Sequence, residues 1–153
     1  WSIRAIHTPG HVDNHYCFLL EEEGMVFAGD HIMNGSTVVI VPPGGNMKDY
    51  IDSLKRLLDY DVKAIAPGHG EVIQGCRDEV EKLVRHRLMR ETKVVANLER
   101  GGPVPIETLV VSVYDDVPET MHRWAQLSLL AHLLKLEIEG RARQAAGVWS
   151  LTQ

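Results

Sequence analysis

Three short segments of the sequence combine histidine or aspartate with glycine. They are HTPGH at residues 7–11, AGDH at residues 28–31 and PGHG at residues 67–70. Imidazole and carboxylate groups together suit zinc or a similar divalent metal. Each segment alone also occurs in ordinary turns. The three in this order favour a metal site, and its candidate ligands are His11, Asp30 and His69.

Each segment adjoins the end of a predicted β-strand. Side chains at strand ends can converge on one point, because the sheet is rigid and nearby glycines let the backbone turn. Apolar patterns predict five short strands, which are WSIRAI at 1–6, YCFLL at 16–20, MVFAG at 25–29, TVVIV at 37–41 and VKAIA at 62–66. The turn EEEG predicts a hairpin between the second and third strands. Asn46 is predicted to cap one amphipathic helix that ends near Asp59.

The second half of the sequence has the pattern of three helices followed by a hairpin. Apolar residues at helical spacing, with glycine and proline at the breaks, predict helices over residues 78–100, 106–114 and 118–140. Residues 1–75 carry 5 basic and 10 acidic side chains, whereas residues 76–153 carry 11 of each. This change in composition predicts a domain boundary near Gly75.

Composition limits the class of protein. The net charge of −5 provides no overall basic field for nucleic acid or acidic membranes. Cys17 and Cys76 are far apart in sequence, so we expect free thiols and a cytoplasmic or organelle-matrix location. The longest near-apolar run, Val38–Pro43, is far too short to span a membrane, and no membrane association is expected. Because the chain opens on Trp1 within a strand-like segment, we expect it to be part of a longer protein.

The order HTPGH, AGDH, PGHG resembles the C-terminal half of the metallo-β-lactamase superfamily, and in particular its glyoxalase II and beta-lactamase-like protein 2 groups. The later segments HRLMRE, LLAHLLKLEIEGRA and VWSLT are similar to the winged-helix tail of the second group. The resemblance implies an α/β (α+β) fold. Residues 1–75 would form one half of an αββα sandwich, and residues 76–153 a winged-helix-like α+β domain.

The resemblance also implies a dinuclear metal centre. His11 would bind one metal, His69 the other and Asp30 both, and Asp30 would in addition orient the attacking hydroxide. The metals would be zinc, with iron or manganese as alternatives. The family's His-x-His-x-Asp-His cluster has no counterpart in this sequence. Each metal would then have two ligands, fewer than zinc needs. We therefore expect the missing ligands to come from an N-terminal half or a partner chain.

The remaining histidines have other predicted roles. His7 is expected to brace its loop by hydrogen bonds. His15 is expected to pack near the site or to orient a ligand. His31 is expected either to line the cleft or to bond to backbone. Outside this region, His122 is predicted to be exposed, and His132 is predicted to be a hydrogen-bonded core histidine.

The resemblance implies that the intact protein hydrolyses a thioester or related ester, or an RNA phosphodiester, and that this chain alone is inactive. The alternative is a winged-helix module that binds nucleic acid or protein and carries a non-catalytic metallo-β-lactamase-like remnant. The basic run from Arg85 to Lys93 is either a solvated face or a guide for an anionic substrate. An apolar sheet face, with parts of YCFLL and TVVIV, is expected to cause association with a partner chain or a second copy.

Overall fold

The structure is a computed structural model that describes residues 1–152. It divides into two compact units, one of residues 1–86 and one that begins at Arg87. The division falls inside a long helix, Cys76–Gly101. The sequence predicts a boundary just before this helix, and the domain assignment 1–75 and 76–153 stays a prediction. No helix within residues 1–152 is long and apolar enough to cross a membrane.

The first unit is built on one five-stranded sheet with the order β1-β2-β3-β4-β5. The strands are β1 Ile3–His7, β2 Tyr16–Leu20, β3 Met25–Gly29, β4 Ala64–Pro67 and β5 Ile73–Gln74. All neighbouring strands are antiparallel except β3 and β4, which are parallel. The predicted hairpin of β2 and β3 is confirmed. A parallel pair needs a long crossover, and helix α1, Met47–Arg56, lies in this connection.

Helix α1 begins where the sequence predicts. The side chain of Asn46 accepts a hydrogen bond from the backbone N–H of Asp49 at 3.1 Å, which satisfies one of the free donors of the first turn. Its apolar face is buried, with Met47, Tyr50 and Leu54 at most 1% exposed. A 3₁₀ turn at Leu57–Asp59 follows the helix.

The segment TVVIV, residues 37–41, is not a strand, so that prediction is wrong. Its alternation is real, because Val38 and Ile40 are 4% and 0% exposed. Its backbone carbonyls, however, accept hydrogen bonds from loop residues and not from a neighbouring strand. The carbonyl of Val39 accepts from the His11 side chain, and the carbonyl of Val41 accepts from Gly45 N–H at 2.8 Å. Burial pattern alone does not determine strand pairing, which needs a partner in register.

The two faces of the sheet differ. Side chains of one face form the core, including Ile6, Cys17, Leu19, Val26, Ala28 and Ile65. On the other face, the register places Ala5 opposite Phe18, Phe18 opposite Phe27 and Phe27 opposite Ala66. Phe18 and Phe27 in this row are 46% and 47% exposed. The first unit therefore carries an apolar row across four strands that its own residues leave open.

The second unit has the predicted helices and hairpin. Helix α2 is Cys76–Gly101, α3 is Ile106–Val113 and α4 is His122–Ile138, and the strands β6 Ala142–Ala145 and β7 Val148–Leu151 form the wing. Its core includes Val94 and Leu98 of α2, Leu109 and Val113 of α3, Leu129 and Leu133 of α4, and Trp149 of β7. The mixed α/β architecture confirms the predicted fold class.

Two members of the basic run are buried, so neither interpretation of the run applies to these two residues. Arg87 is 3% and Arg90 is 7% exposed. The guanidinium of Arg90 donates to both carboxylate oxygens of Asp116, at 2.7 and 3.0 Å, and to the Val113 carbonyl at 2.7 Å. Arg90 therefore anchors the segment that follows α3, and neither solvent nor substrate reaches it freely. Lys93 donates to Asp115 at 2.6 Å.

The two histidines of the second unit differ in part from prediction. His122 is half-buried rather than exposed, since Nε2 lies 3.0 Å from the Val117 carbonyl. His132 is fully buried as predicted. Burial lowers the pKa of His132, and interaction with the carboxylate of Glu91 raises it, so this buried ring has a polar partner. Nδ1 of His132 lies 3.9 Å from Glu91 Oε2, beyond hydrogen-bond distance.

Candidate metal centre

Asp30 and His69 are brought together by the only parallel strand pair of residues 1–152. Asp30 directly follows β3, and His69 follows β4, whose last residue Pro67 pairs with Gly29. Because parallel strands end at the same edge of a sheet, the two side chains meet there. His69 Nε2 lies 3.4 Å from Asp30 Oδ1, and both side chains remain accessible, at 73% and 46% exposure.

Gly68 makes room for this pair. A Cβ at position 68 would lie 2.8 Å from Asp30 Oδ1 and 2.9 Å from the carbonyl carbon of Gly29. The Gly68 N–H donates to the Gly29 carbonyl at 2.8 Å, so the backbones of the two loops are in direct contact. A glycine at this position allows that close approach.

His11 is held by one ring nitrogen. Its Nδ1 lies 3.1 Å from the Val39 carbonyl and therefore donates to it. That bond leaves Nε2 as the free lone pair, which is the usual arrangement of a metal-binding histidine. The preceding Gly10 has φ +141°, and a Cβ there would lie 2.3 Å from Tyr50 Cα. Only glycine lets this loop pass so close to helix α1.

His15 lies at the start of a directed chain of hydrogen bonds. The Thr8 hydroxyl donates to Cys17 Sγ at 3.3 Å, and this thiol donates to the Ala28 carbonyl at 3.8 Å. The Thr8 oxygen is then the acceptor for His15 Nδ1, 2.9 Å away. His15 thus carries its proton on Nδ1, and its Nε2 would lie 3.1 Å from a Cβ built on Gly29.

The surroundings of His15 keep its ring neutral. Burial lowers the pKa of His15, the neighbouring charge of His11 lowers it further, and the carboxylate of Asp30 raises it. These two opposing influences indicate that His15 lies near both candidate ligands. The structure therefore places His15 near His11 and Asp30, and its role in orienting a metal ligand stays a prediction.

His31 is a buried, uncharged ring that packs between His15 and Tyr50. It is 0% exposed, and its ring centroid lies 5.7 Å from that of His15 and 5.1 Å from that of Tyr50. Burial lowers the pKa of His31 to about 3. Contact with the backbone of Ser53 opposes this lowering of the pKa. Because His31 is fully buried, it does not line an open cleft, and its alternative role as a histidine bonded to backbone stays a prediction.

His7 braces the loop from outside. Its Nε2 lies 3.1 Å from the Asp13 carbonyl and donates to it, and its ring lies against Tyr16 at a centroid distance of 4.9 Å. Arg56, at the end of α1, donates to the His7 carbonyl at 2.6 Å. His7 therefore has the bracing contacts that the sequence predicts.

These residues fit a divalent metal by donor type and in part by position. Two ligands bound about 2.1 Å from one ion lie roughly 3.0–3.5 Å apart, which suits Asp30 and His69. Within residues 1–152, no three side chains of His, Cys, Asp or Glu are grouped closely enough to hold an ion. The assignment of His11, Asp30 and His69 as ligands, and of Asp30 as a catalytic residue, stays a prediction.

Sequence patterns did not reveal several residues that shape the site. Thr8 lies inside HTPGH, and its small polar side chain between two histidines was an available signal. Tyr50 donates from its hydroxyl to the His31 carbonyl at 3.0 Å, and Val39 holds His11 through its carbonyl. No local pattern indicates these last two contacts, because they join segments far apart in sequence.

Comparison with known sequence families gives two matches. Residues 1–69 match the Metallo-beta-lactamase superfamily, and residues 106–149 match the beta-lactamase associated winged helix domain. A Drosophila melanogaster protein named beta-lactamase-like protein 2 homolog is 32% identical over 144 residues, which cover 93% of this chain and 48% of the relative. An Aspergillus chevalieri protein named atrochrysone carboxyl ACP thioesterase is 31% identical over 151 residues, covering 94% of this chain and 47% of the relative.

A similar solved structure is that of a metallo-beta-lactamase family protein from Thermus thermophilus. It has a TM-score of 0.84 at 29% identity, covering 98% of this chain and 49% of that one. This chain thus spans about half the length of the relatives it matches. The chain belongs to the metallo-β-lactamase superfamily, of which it matches the C-terminal region, and it carries the associated winged helix domain.

Proposed function

We propose that this chain provides one side of the active site of a metal-dependent hydrolase that acts on thioesters or related esters. The main observation behind this proposal is that Asp30 and His69 follow two adjacent parallel strands. His69 Nε2 lies 3.4 Å from Asp30 Oδ1 there. Support for thioesters comes from the relative that is named an ACP thioesterase. The metallo-β-lactamase fold accommodates several hydrolytic reactions, so the fold alone does not select the substrate.

In this proposal, His11, Asp30 and His69 would hold divalent metal, with Nε2 of His11 available because its Nδ1 donates to the Val39 carbonyl. Zinc suits this set of imidazole and carboxylate donors, and iron or manganese accept the same donors. Bound divalent metal supplies Lewis acidity and activates water as a nucleophile near neutral pH. Asp30 would also orient that water, which makes it the catalytic residue of the set.

The chain's other residues hold these donors in place. The Val39 carbonyl fixes the ring of His11, and the absence of a side chain at Gly68 lets Asp30 and His69 approach. The Thr8 hydroxyl fixes the tautomer of His15. A neutral His15 beside Asp30 adds no positive charge that would repel a metal ion.

The remaining ligands must come from outside these residues, and this is the proposed partner. A His-x-His-x-Asp-His cluster on an N-terminal segment or on a partner chain would complete the ligand set. Supporting this is the lack of any group of three metal-binding side chains within residues 1–152. A second copy of the chain is the alternative partner for the open apolar face of the sheet.

The test is hydrolysis by the protein as its gene encodes it, with an acyl thioester, the matching oxoester and single-stranded RNA as substrates. We expect metal-dependent thioester cleavage that falls by at least about 10³-fold in Asp30→Asn and His69→Ala. The control Asp13→Asn alters an exposed carboxylate in the same region and should retain activity. Full activity in Asp30→Asn would refute the site, and cleavage of RNA alone would refute the thioester assignment.

The alternative is a winged-helix interaction module beside an inactive remnant, and the winged helix match favours it. Residues 87–152 carry eight basic and eight acidic side chains, which is a poor balance for a phosphate backbone. Salt-sensitive binding of RNA by the metal-free protein, without any hydrolysis, would favour this alternative. We also propose a cytoplasmic or organelle-matrix location, supported by the free, buried thiols of Cys17 and Cys76.

A further inference from the structure

The second unit contains a cavity that the proposed hydrolase function does not use. It has a volume of about 350 Å³ and lies between α4 and the wing. Its apolar wall is formed by Ile106, Leu127, Leu130 and Trp149, and its polar groups come from Arg123, Gln126 and Gln144. We call it the wing cavity. None of these seven residues belongs to the candidate metal centre.

Arg123 is the cation of the wing cavity. It is exposed and, unlike Arg90 or Lys135, forms no ion pair or hydrogen bond with any of residues 1–152. Its guanidinium therefore keeps all its donors available to a ligand. Guanidinium binds a carboxylate with two parallel hydrogen bonds, so an anionic ligand with two oxygens fits this end of the cavity.

Trp149 closes the inner side of the wall. Its side chain is 1% exposed, and the indole Nε1 has no hydrogen-bond partner within residues 1–152. A buried donor without a partner is unfavourable and uncommon in folded proteins. Since protein encloses this indole N–H, it serves as a reporter of changes at the wall and not as a contact for the ligand.

We propose that the wing cavity binds a medium-chain fatty acid, with the carboxylate at Arg123 and the tail against Leu127, Leu130 and Trp149. At about 30 Å³ for each water-sized site, the volume of about 350 Å³ accommodates roughly a dozen non-hydrogen atoms. Octanoate or decanoate is of this size. An apolar wall with one charged group at its edge is the usual composition of a small-molecule site.

Nucleic acid fits this cavity less well. Each phosphate of a bound strand adds a negative charge, and affinity depends on several cations along its path. The wing cavity has one cation, and Glu119 and Glu137 precede and follow the lining segment of α4. A single anion on an apolar tail matches one arginine beside four apolar side chains.

The experiment is a titration of the ¹⁵N-labelled protein with octanoate, followed through the indole N–H signals of its three tryptophans. We expect the Trp149 signal to shift and saturate, while that of Trp1 stays unchanged. Substitution Trp149→Phe assigns the signal. 1-Octanol, which has the same tail without the charge, should bind about ten-fold more weakly than octanoate.

Two arginine variants make the test specific. Arg123→Gln should weaken the binding of octanoate by about ten-fold and leave the affinity for 1-octanol unchanged. Arg143→Gln removes an exposed charge of the neighbouring strand β6 that does not line the cavity, and should leave both ligands unchanged. Leu130→Trp should fill the cavity and abolish binding of both, with the dispersion of the amide spectrum as the check on folding.

Equal affinities for octanoate and 1-octanol, or an unchanged octanoate affinity in Arg123→Gln, would overturn the proposal. Equal shifts of all three indole signals would indicate unspecific binding and would overturn it as well. Asp30→Asn should leave octanoate binding intact. Failure of the hydrolase proposal and failure of the cavity proposal are therefore distinguishable.

Discussion

Thr8 joins the first strand to the candidate metal centre through its buried hydroxyl, which contacts His15 and Cys17. We predict that Thr8→Val destabilises the protein by about 1–2 kcal/mol, because valine keeps the shape and leaves His15 Nδ1 without its acceptor. Urea unfolding measures the change. Thr8→Ser keeps the hydroxyl and is expected to recover most of the loss. Equal stability of the valine and serine variants would contradict this role.

Gly68 is the residue whose lack of a side chain sets the position of Asp30. In Gly68→Ala the new Cβ would lie 2.8 Å from Asp30 Oδ1, so the carboxylate must move. Since a displacement of about 1 Å at a reacting group costs up to roughly 100-fold in rate, we predict at least a ten-fold loss of thioester hydrolysis. Metal content and steady-state rates measure it.

Gly44 provides the matched control for that substitution. A Cβ at position 44 meets nothing within 4 Å. Gly44→Ala should therefore leave both metal content and rate unchanged. A similar loss in both alanine variants would show that the effect comes from the loops in general and not from Asp30.

At the scale of elements, the cap of helix α1 holds more than the helix. Asn46 accepts from Asp49 N–H and donates its own N–H to the Gly10 carbonyl at 2.8 Å, next to His11. We predict that Asn46→Ala lowers stability by about 1 kcal/mol, because the first turn loses its side-chain acceptor. Thermal unfolding measures this. Asn46→Asp retains an acceptor and should behave like the original protein.

Glu91 connects α2 with α4 and β6. It is 5% exposed, and it accepts from Lys135 Nζ at 2.8 Å and from Arg141 Nη1 at 3.0 Å. Burial alone raises the pKa of Glu91, but His132 and Lys135 lower it to about 2. This folded-state pKa is below the usual value of a glutamate. The ionised carboxylate of Glu91 therefore stabilises the protein fully above about pH 4.5, and that stabilisation is lost as the pH falls towards 2.

The test is the substitution Glu91→Gln at two pH values. At pH 7 we predict a loss of about 3 kcal/mol in the free energy of unfolding, since Lys135 and Arg141 lose their buried counter-charge. At pH 2 the difference from the original protein should shrink strongly. Asp52→Asn breaks the exposed pair with Lys48 and should cost less than about 0.5 kcal/mol. An equal Glu91→Gln effect at both pH values would contradict this.

The elements that sequence predicts well are those with local signals. Asn46 and the spacing of α1, or the glycines and prolines that separate α2 from α3, lie within a few residues of what they determine. Residues 37–41 and Arg90 were misinterpreted for the opposite reason. Strand pairing and the burial of a charge depend on distant partners, such as Asp116 for Arg90, 26 residues away.

In the candidate site, too, local sequence predicts some features and tertiary packing determines the others. Its predicted ligands lie in loops at strand ends, and the pairing of β3 with β4 brings Asp30 to His69. Sequence did not show that His31 is buried against Tyr50 or that Val39 holds His11, because both contacts depend on the packing of α1 and of residues 37–41. Motif order therefore indicates donors, and tertiary packing decides their orientation.

At the scale of the whole molecule, the open sheet face is the main unpartnered surface of the first unit within residues 1–152. Phe18 and Phe27 lie side by side on it, with Ile3 67% exposed nearby. Exposed apolar rows of this kind usually mark an interaction site. We predict that the chain on its own associates at micromolar concentrations. The double variant Phe18→Lys and Phe27→Lys should reduce the association, as light scattering over a concentration series will show.

A stable monomer of the original chain at all concentrations would contradict that prediction. Val111→Lys is the matched control, since Val111 is a 55% exposed apolar side chain of α3 in the second unit. It should leave the association unchanged. Loss of association in the control as well would show that added charge, and not the sheet face, is responsible.

The hydrogen bond from Gly68 N–H to the Gly29 carbonyl has a further use. It lies between the backbones that carry Asp30 and His69, so these two loops separate only when it breaks. An amide proton exchanges with solvent only in the opened state. The deuterium exchange rate of this single amide therefore reports how often the two loops part, and a ligand that bridges Asp30 and His69 would slow it in proportion to its occupancy.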